Sequence, residues 1–364
     1  MGASAFREYA KRKSIYVFGA GRALFSSLDI FFEGKDVKAV IDNKVSLQGT
    51  EVKHNGKLVP IISQNEFIKI ISNIGKEESA LENNILFINS AIYAYEIIKS
   101  LDAYDELDGL ETFVQALIAN TKEPIPPYEF SVGVPQIPKK IHYIWVGGKP
   151  VPEEHKAYID SWKKFNPDYE IIRWDEGNYD FKKSLYMKQA YESRCWSFAS
   201  NYARLDIIYN YGGIYLDTDV EVVSSLNPLL NDDAFFNMGD AVHINTGCGF
   251  GAVPGNGMIN ELLEQFETKE FLLEDGKPGK KSFHSYIFPV FKKYGFIPKN
   301  FYQKREGVAI YPCEVMSPIT IEGMPDYISE KTISKHYGIQ SWKNDKEKEI
   351  EKSWWELVDR MHND

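Results

Sequence analysis

Two carboxylates one residue apart, Asp217 and Asp219 in the stretch GGIYLDTDVE (212–221), are the strongest chemical signal in this chain. They close a short apolar run that follows two glycines. In a strand, residues i and i+2 point to the same side, so Asp217 and Asp219 project together while Thr218 faces away. Two acids side by side repel unless a cation sits between them. Hard oxygen ligands at that spacing suit Mg²⁺ or Mn²⁺ carrying a diphosphate, with coordination positions left for phosphate oxygens and water. Arg204, a short way upstream, is in reach of the same anion. A bare Asp-x-Asp is also what a solvated turn looks like, so the elements around it decide its meaning.

The upstream stretch SFASNYARLDIIYNYGG (197–213) predicts a helix near 195–211. Ala199, Tyr202, Leu205, Ile208 and Tyr209 recur at three and four on one buried face, and Gly212-Gly213 supplies a left-handed cap. A strand from Ile214 to Leu216 then returns the chain to a sheet. Before the helix, KIHYIWVGG (140–148) and YEIIRWD (169–175) read as further strands, which makes this half an α/β unit.

The N-terminal residues 14–120 alternate in the same way: SIYVFGAG, KAVIDN and NILFINS are buried strands separated by helical stretches. This predicts a small Rossmann-like domain over 1–120. Gly19 and Gly21 follow its first strand and Asp42 lies where a dinucleotide fingerprint places its ribose acid, but Leu24 stands at the third glycine. A nucleotide site and a domain kept for packing, dimerisation or docking both remain open. The proline-dense stretch over 121–136 reads as a linker, and 137–364 as the second domain.

Composition narrows the classes. The chain has 364 residues, a formal net charge of −10 and no sustained Lys/Arg stripe, which excludes a nucleic-acid backbone as its main partner. Cys195, Cys248 and Cys313 have no metal or disulfide spacing and are expected to be small buried hydrophobes in a reducing compartment. There is no uncharged run of membrane-spanning length and no signal-peptide pattern. The expected location is the cytoplasm, with at most peripheral contact at the inner face of a membrane. MGASAFREYAKRK at the start is expected to be a solvated helix.

The set Arg204, Gly212, Gly213, Tyr215, Asp217 and Asp219 closely resembles the sugar-binding DxD region of glycosyltransferase family 32, which includes yeast initiating mannosyltransferases and bacterial capsular polysaccharide transferases. More distantly it resembles the clostridial glucosylating toxins. The likeness runs in order through IPKKIHYIWVGGKPVPEEHKAYIDSWKKFNPDYEIIRWDEGNYD, HINTGCGFGAVPGNGMI and KHYGIQSW, covering residues 137 to about 343. The N-terminal stretch, with VIDN and QGTEV, resembles the nucleotide-sugar-binding domain of bacterial sugar acyltransferases.

The family resemblance implies a GT-A fold, a nucleotide-sugar donor, a divalent metal (Mn²⁺ or Mg²⁺) and transfer with retention of anomeric configuration. It implies that Trp145, Val146 and Gly147 hold the nucleotide base, and that Arg204 contacts the donor. Asp219 would ligate the metal directly, and Asp217 would bind sugar or ribose hydroxyls and the metal through water. His336 would bind metal or diphosphate. Ser341, also counted as a metal ligand, would close with Trp342 and Lys343 over the leaving phosphate. The family usually has Ser-Asp ahead of its arginine; here Ser200-Asn201 replaces it, which puts the donor sugar in question. Asn245 and Thr246, in HINTGCG, resemble the segment lining the sugar and acceptor site, with Asn245 the candidate residue. UDP-glucose or UDP-galactose is the expected donor, a glycan or glycoprotein the acceptor, and bacterial capsule or surface glycan synthesis the setting, with a homo-oligomer or partner docked through the N-terminal domain.

Three other readings fit parts of the pattern. A haloacid-type phosphatase also begins with Asp-x-Asp, but wants Thr or Val where Glu221 stands. A nicotinamide-dependent oxidoreductase would show cofactor absorbance. A non-catalytic docking subunit would bind no nucleotide sugar.

Overall fold

The computed structural model describes residues 1–21, 23–75, 81–90, 93–273, 276–279, 283–320 and 324–338. Ser341, Trp342 and Lys343 lie outside the described residues. The chain divides into two compact units, one built on Met1–Thr121 and the other on Lys122–Thr320 with residues 325–338.

In the first unit, short runs of β-branched and aromatic residues form strands β1 (Ser14–Phe18), β2 (Val37–Ile41), β3 (Glu51–His54), β4 (Lys57–Ile62), β5 (Asn84–Ile88) and β6 (Glu111–Val114). They form one sheet in the order β3-β4-β2-β1-β5-β6. All neighbours are parallel except the β3–β4 hairpin. Strand order reverses between β1 and β5, the arrangement of a doubly wound α/β sheet. Its helices are α1 (Ala3–Tyr9), α2 (Leu24–Phe32), α3 (Gln64–Ile74), α4 (Ala94–Leu101) and α5 (Gln115–Asn120).

Helix α1 is not the solvated segment its charge suggests. Ala3 and Phe6 are buried, and the Phe6 ring packs on Phe31, Phe32, Phe87 and Phe113. Its one cation, Arg7, is itself half-buried, donating from Nε to Ile30 O at 3.0 Å and lying over the Phe31 ring, so apolar burial decides its place. Asp42 is also committed internally: its carboxylate accepts from Ala20 N at 2.8 Å and from Lys44 N at 2.8 Å, so it closes the glycine loop on itself.

The second unit contains β7 (Lys140–Ile144), α6 (Glu153–Phe165), β8 (Glu170–Trp174), α7 (Leu185–Glu192), α8 (Trp196–Tyr211), β9 (Gly213–Tyr215), β10 (Val220–Val222), β11 (Ala234–Asn237), β12 (Phe250–Ala252), α9 (Gly257–Glu267), α10 (His284–Lys293), β13 (Gln303–Arg305), β14 (Val308–Tyr311), α11 (Cys313–Met316) and β15 (Ser334–His336). The main sheet runs β13-β14-β11-β12-β9-β7-β8, and β10 pairs with β15 separately. Strands β7, β8 and β9 are parallel, β12 is antiparallel to both β9 and β11, and β14 is parallel to β11. It follows that β7, β9 and β11 all end on the same edge, where open α/β sheets place their ligands.

Apolar side chains cover both faces of this sheet. One layer includes Ala199, Ala203, Ile207 and Ile208 of α8, and the other includes Trp162, Leu216 and Met316. Helix α8 is therefore buried around more of its circumference than the single predicted face. Cys248 and Cys313 are buried as expected, whereas Cys195 is half-exposed. The proline-dense stretch has no regular secondary structure, yet it is packed: Tyr128 stacks on Tyr302 at 5.5 Å and Ile137 is buried. Among the described residues, no helix is long and apolar enough to cross a membrane.

Candidate metal and donor site

Helix α8 ends abruptly because Gly212 takes φ 60°, ψ −176°. This is not the left-handed helical cap the sequence suggests but an extended conformation at positive φ, open essentially to glycine alone. A Cβ on Gly213 would lie 2.8 Å from Lys140 O, so the chain can enter β9 against β7 only without a side chain there. His142 locks the junction from beneath. Its Nε2 is 2.8 Å from Gly212 O, and its Nδ1 accepts from Trp174 Nε1 at 3.0 Å. Burial pushes its imidazole down to about 4.

The Asp-x-Asp does not lie on a strand. Strand β9 stops at Tyr215, and Asp217–Val220 form a turn in which Val220 N donates to Asp217 O at 3.2 Å. The acids expected side by side on one strand thus stand between two strands in different sheets, β9 and β10. The two carboxylates nevertheless converge, because the turn folds them toward β15. Antiparallel pairing sets His336 opposite Val220. One ligand atom from each of Asp217, Asp219 and His336 lies within 4.8 Å of the others. Thr218 does face away, with its Oγ1 2.7 Å from His155 Nδ1.

This donor set fits a divalent cation. Two carboxylate oxygens and an imidazole suit Mn²⁺ at least as well as Mg²⁺, since nitrogen ligation favours the softer ion. Without a cation the charges are balanced from the protein side. His336 Nε2 is 3.4 Å from Asp219 Oδ1. Burial opposes protonation of His336, but the hydrogen bond and charge of Asp219, helped by Asp217, raise its pKa above the ordinary value.

Behind Asp217 stands Arg204, only 5% exposed. Its Nη2 is 3.3 Å from Asp217 Oδ1, Nε donates to Ser200 O, Nη2 to Ser200 Oγ and Nη1 to Thr246 Oγ1, and the guanidinium lies over the Tyr215 ring at 4.8 Å. Tyr215 OH donates to Asp217 Oδ1 at 2.8 Å. The arginine thus braces an acid from inside the core rather than offering a free cation at the surface. Ser200 is part of that brace. Asn201, one position on, turns away toward the hydroxyl of Tyr186.

Asn245 closes the opposite wall. Its Oδ1 accepts from Gly247 N at 2.8 Å, and Asp217 N donates to Gly247 O at 3.0 Å. A Cβ on Gly247 would fall 2.3 Å from Asp217 Oδ2, so glycine is required for the carboxylate to occupy its position. Trp145 lies just past β7, half-buried, its ring edge-on to His155 at 5.6 Å. It therefore reaches the acidic turn through His155. Gly147 takes φ +89°, sits against the Trp196 indole and donates its N–H to Glu176 Oε1 at 2.7 Å. Val146 packs partly buried beside the same core.

Sequence reasoning missed His155, and it gave Tyr215 and Thr246 no role beyond their place in the resembling motifs. Tyr215 and Thr246 lie within quoted motifs and have the polar reach to be suspected. His155, in the first turn of α6, carries no spacing signal at all.

Residues 152–236 match the family described as glycosyltransferase sugar-binding region containing DXD motif. The chain is 28% identical over 196 residues to inositol phosphoceramide mannosyltransferase 2 of Schizosaccharomyces pombe, covering 50% of this chain and 56% of that one. It is 36% identical over 103 residues to inositol phosphoceramide mannosyltransferase 3 of the same organism, covering 27% and 29%. The solved PaToxG glycosyltransferase is 20% identical with a TM-score of 0.34, covering 44% of this chain and 71% of that one. The chain thus spans about half or less of the curated relatives' length. The matched segment carries the acidic turn, and its likeness is to glycosyltransferases. The mixed sheet that presents this turn at its carboxyl edge is a GT-A-like α/β fold.

Proposed function

We propose that this chain is a metal-dependent glycosyltransferase that moves a hexose from a nucleotide sugar to a glycan or glycoprotein acceptor with retention at the anomeric carbon. The observation that carries the reading is the convergence of Asp217, Asp219 and His336 on one point, inside the segment that matches a DXD sugar-binding region. Asp219 and His336 are the proposed direct metal ligands, with Asp217 a ligand or a binder of donor hydroxyls. A bound divalent ion would supply Lewis acidity to the departing diphosphate. Arg204 and Tyr215 OH hold the Asp217 carboxylate in place, so that it need not reorganise as donor binds. Trp145 offers an aromatic surface at the base end of the site, where Gly147 gives its N–H to Glu176, and Asn245 lines the sugar end.

The relatives named above are mannosyltransferases, while the resemblance of residues 137 to about 343 to capsular polysaccharide transferases supports a bacterial surface glycan as the setting. UDP-glucose and UDP-galactose are our favoured donors, with Mn²⁺ the favoured ion. In the sequence no residue stands out as a nucleophile for double displacement, so front-face substitution is the proposed course.

A panel of UDP- and GDP-sugars assayed with Mn²⁺ tests this. Release of sugar from one donor is expected, with a loss of about 100- to 1,000-fold in Asp219→Ala, the scale of removing a principal electrostatic stabiliser. Absence of both binding and turnover across the panel would refute the reading.

A further inference from the structure

The carboxyl edge of the main sheet carries a second titratable cluster, formed by Asp240, His243 and His284. Loop 239–243 leaves β11 and is closed by the Met238–Ile244 bridge and by Gly239 N donating to His243 O at 2.7 Å. Within it, Asp240 Oδ1 accepts from Val242 N at 2.8 Å and His243 N at 2.7 Å, and Oδ2 faces His243 Nδ1 at 2.8 Å. Burial alone would raise the Asp240 pKa, but the charge and hydrogen bond of His243 and these backbone amides hold it below the ordinary value. In the neutral form of His243, a carboxylate so placed selects the tautomer with the proton on Nδ1, which leaves the Nε2 lone pair open. The His243 side chain is 12% exposed, and no hydrogen bond to its Nε2 is found among the described residues. His284, at the start of α10, stacks on it with ring centroids 4.7 Å apart, bonded to the Ile244 backbone; burial, then the charge of His243, pushes its imidazole down to about 3.

This is the constellation of a hydrogen-bonded base, and topology places it on the sheet edge that carries the donor site. Trp145 follows β7, the acidic turn follows β9, and Asp240 and His243 follow β11, all on one edge. Strand β11 stands two places from β9, on the order of 10 Å away. The two loops are joined through Asn245 and Gly247, the latter against Asp217. Base end, diphosphate end and His243 thus lie in the order in which nucleobase, diphosphate and acceptor occur along the reacting molecules.

We propose that His243, oriented by Asp240, receives the acceptor hydroxyl and takes its proton during transfer; this rests on the donor-site reading above. The acceptor oxygen bonds to the anomeric carbon on the face from which the diphosphate departs, as front-face substitution requires; its proton passes to His243 Nε2, and the bond from that carbon to the diphosphate oxygen breaks with the electron pair leaving on the diphosphate. His243 is then a catalytic residue and Asp240 a positioning residue.

Water serves as the probe acceptor, in hydrolysis of the nucleotide sugar picked out by the donor panel with Mn²⁺, alongside binding of the corresponding nucleoside diphosphate. In His243→Ala, kcat should fall about 100- to 1,000-fold, within the range for a general base, while the Kd of the Mn²⁺–nucleotide stays within about twofold. His243→Gln, which can accept the hydrogen bond but not the proton, should recover part of KM without kcat, and Asp240→Asn should fall between. Unchanged kcat in His243→Ala, or a Kd that weakens in step with kcat in both His243 variants, would overturn the assignment. So would a wild-type protein that binds the nucleotide but releases no sugar to water. A wild type that binds no nucleotide fails earlier and refutes the donor site itself.

Discussion

The two units each place an acid at the end of a strand beside a glycine pair, and they use it in opposite ways. In the first, Asp42 accepts from Ala20 N and Lys44 N, and the loop is satisfied by its own backbone. In the second, Asp217 is braced from behind by Arg204 and Tyr215 while its free side faces Asp219 and His336. A carboxylate whose lone pairs are taken by backbone amides stabilises a loop; one held by a buried cation, with a second acid opposite, stores an electrostatic demand that a ligand can meet. Spacing alone does not separate the cases. What separates them is where the hydrogen bonds go.

That contrast can be broken by substitution, and the largest expected effect is at the brace. Arg204→Met should destabilise the second unit by about 3 kcal/mol, because it strands the partners of a buried charge; chemical denaturation measures it, and a loss below about 1 kcal/mol would show that Asp217 does not depend on it. Acid should act through His142 on a similar scale. Its folded pKa lies near 4, below the unfolded value of 6.5, so the unfolded chain binds the extra proton between them. The stability is full above pH 6.5 and is lost as pH falls toward 4, by on the order of 3 kcal/mol. In His142→Gln that limb of the stability–pH curve should flatten. Next comes Gly247→Ala, whose methyl group collides with Asp217 Oδ2. It should weaken Mn²⁺ binding about 30-fold, equivalent to roughly 2 kcal/mol, with little change in folding. Smallest is Asp42→Asn in the other unit, expected to cost about 1 kcal/mol of stability, the worth of one hydrogen bond, and to leave Mn²⁺ binding untouched. An Asp42 variant that lost metal binding would dissolve the contrast.

Much of the second unit is legible from periodicity and punctuation. The 3.6-residue pattern before Gly212 locates α8, and the apolar runs at 140–144 and 170–174 are strands because their branched and aromatic residues pack on both faces of a sheet. The convergence of Asp217 and Asp219 was also legible, though through the wrong geometry. Strand alternation predicts it, whereas a turn delivers it, and local sequence does not show how a turn is aimed by a strand more than a hundred residues away. His155 and the Asp240–His243–His284 cluster are contacts between distant elements with no repeat to betray them; only the Asp-x-x-His spacing in GDAVH hinted at a local pair. The N-terminal helix was misread because charge is visible in a short segment, and the aromatic cage that buries Phe6 is not.

The central claim is that Asp217, Asp219 and His336 form one metal site. Titration of Mn²⁺ in the presence of UDP or GDP, followed by loss of the free-ion paramagnetic resonance signal, tests it directly. One ion per chain should bind to the wild type, weakly or not at all to Asp219→Ala, and with clearly reduced affinity to His336→Ala. Equal Mn²⁺ uptake by all three proteins would contradict the site.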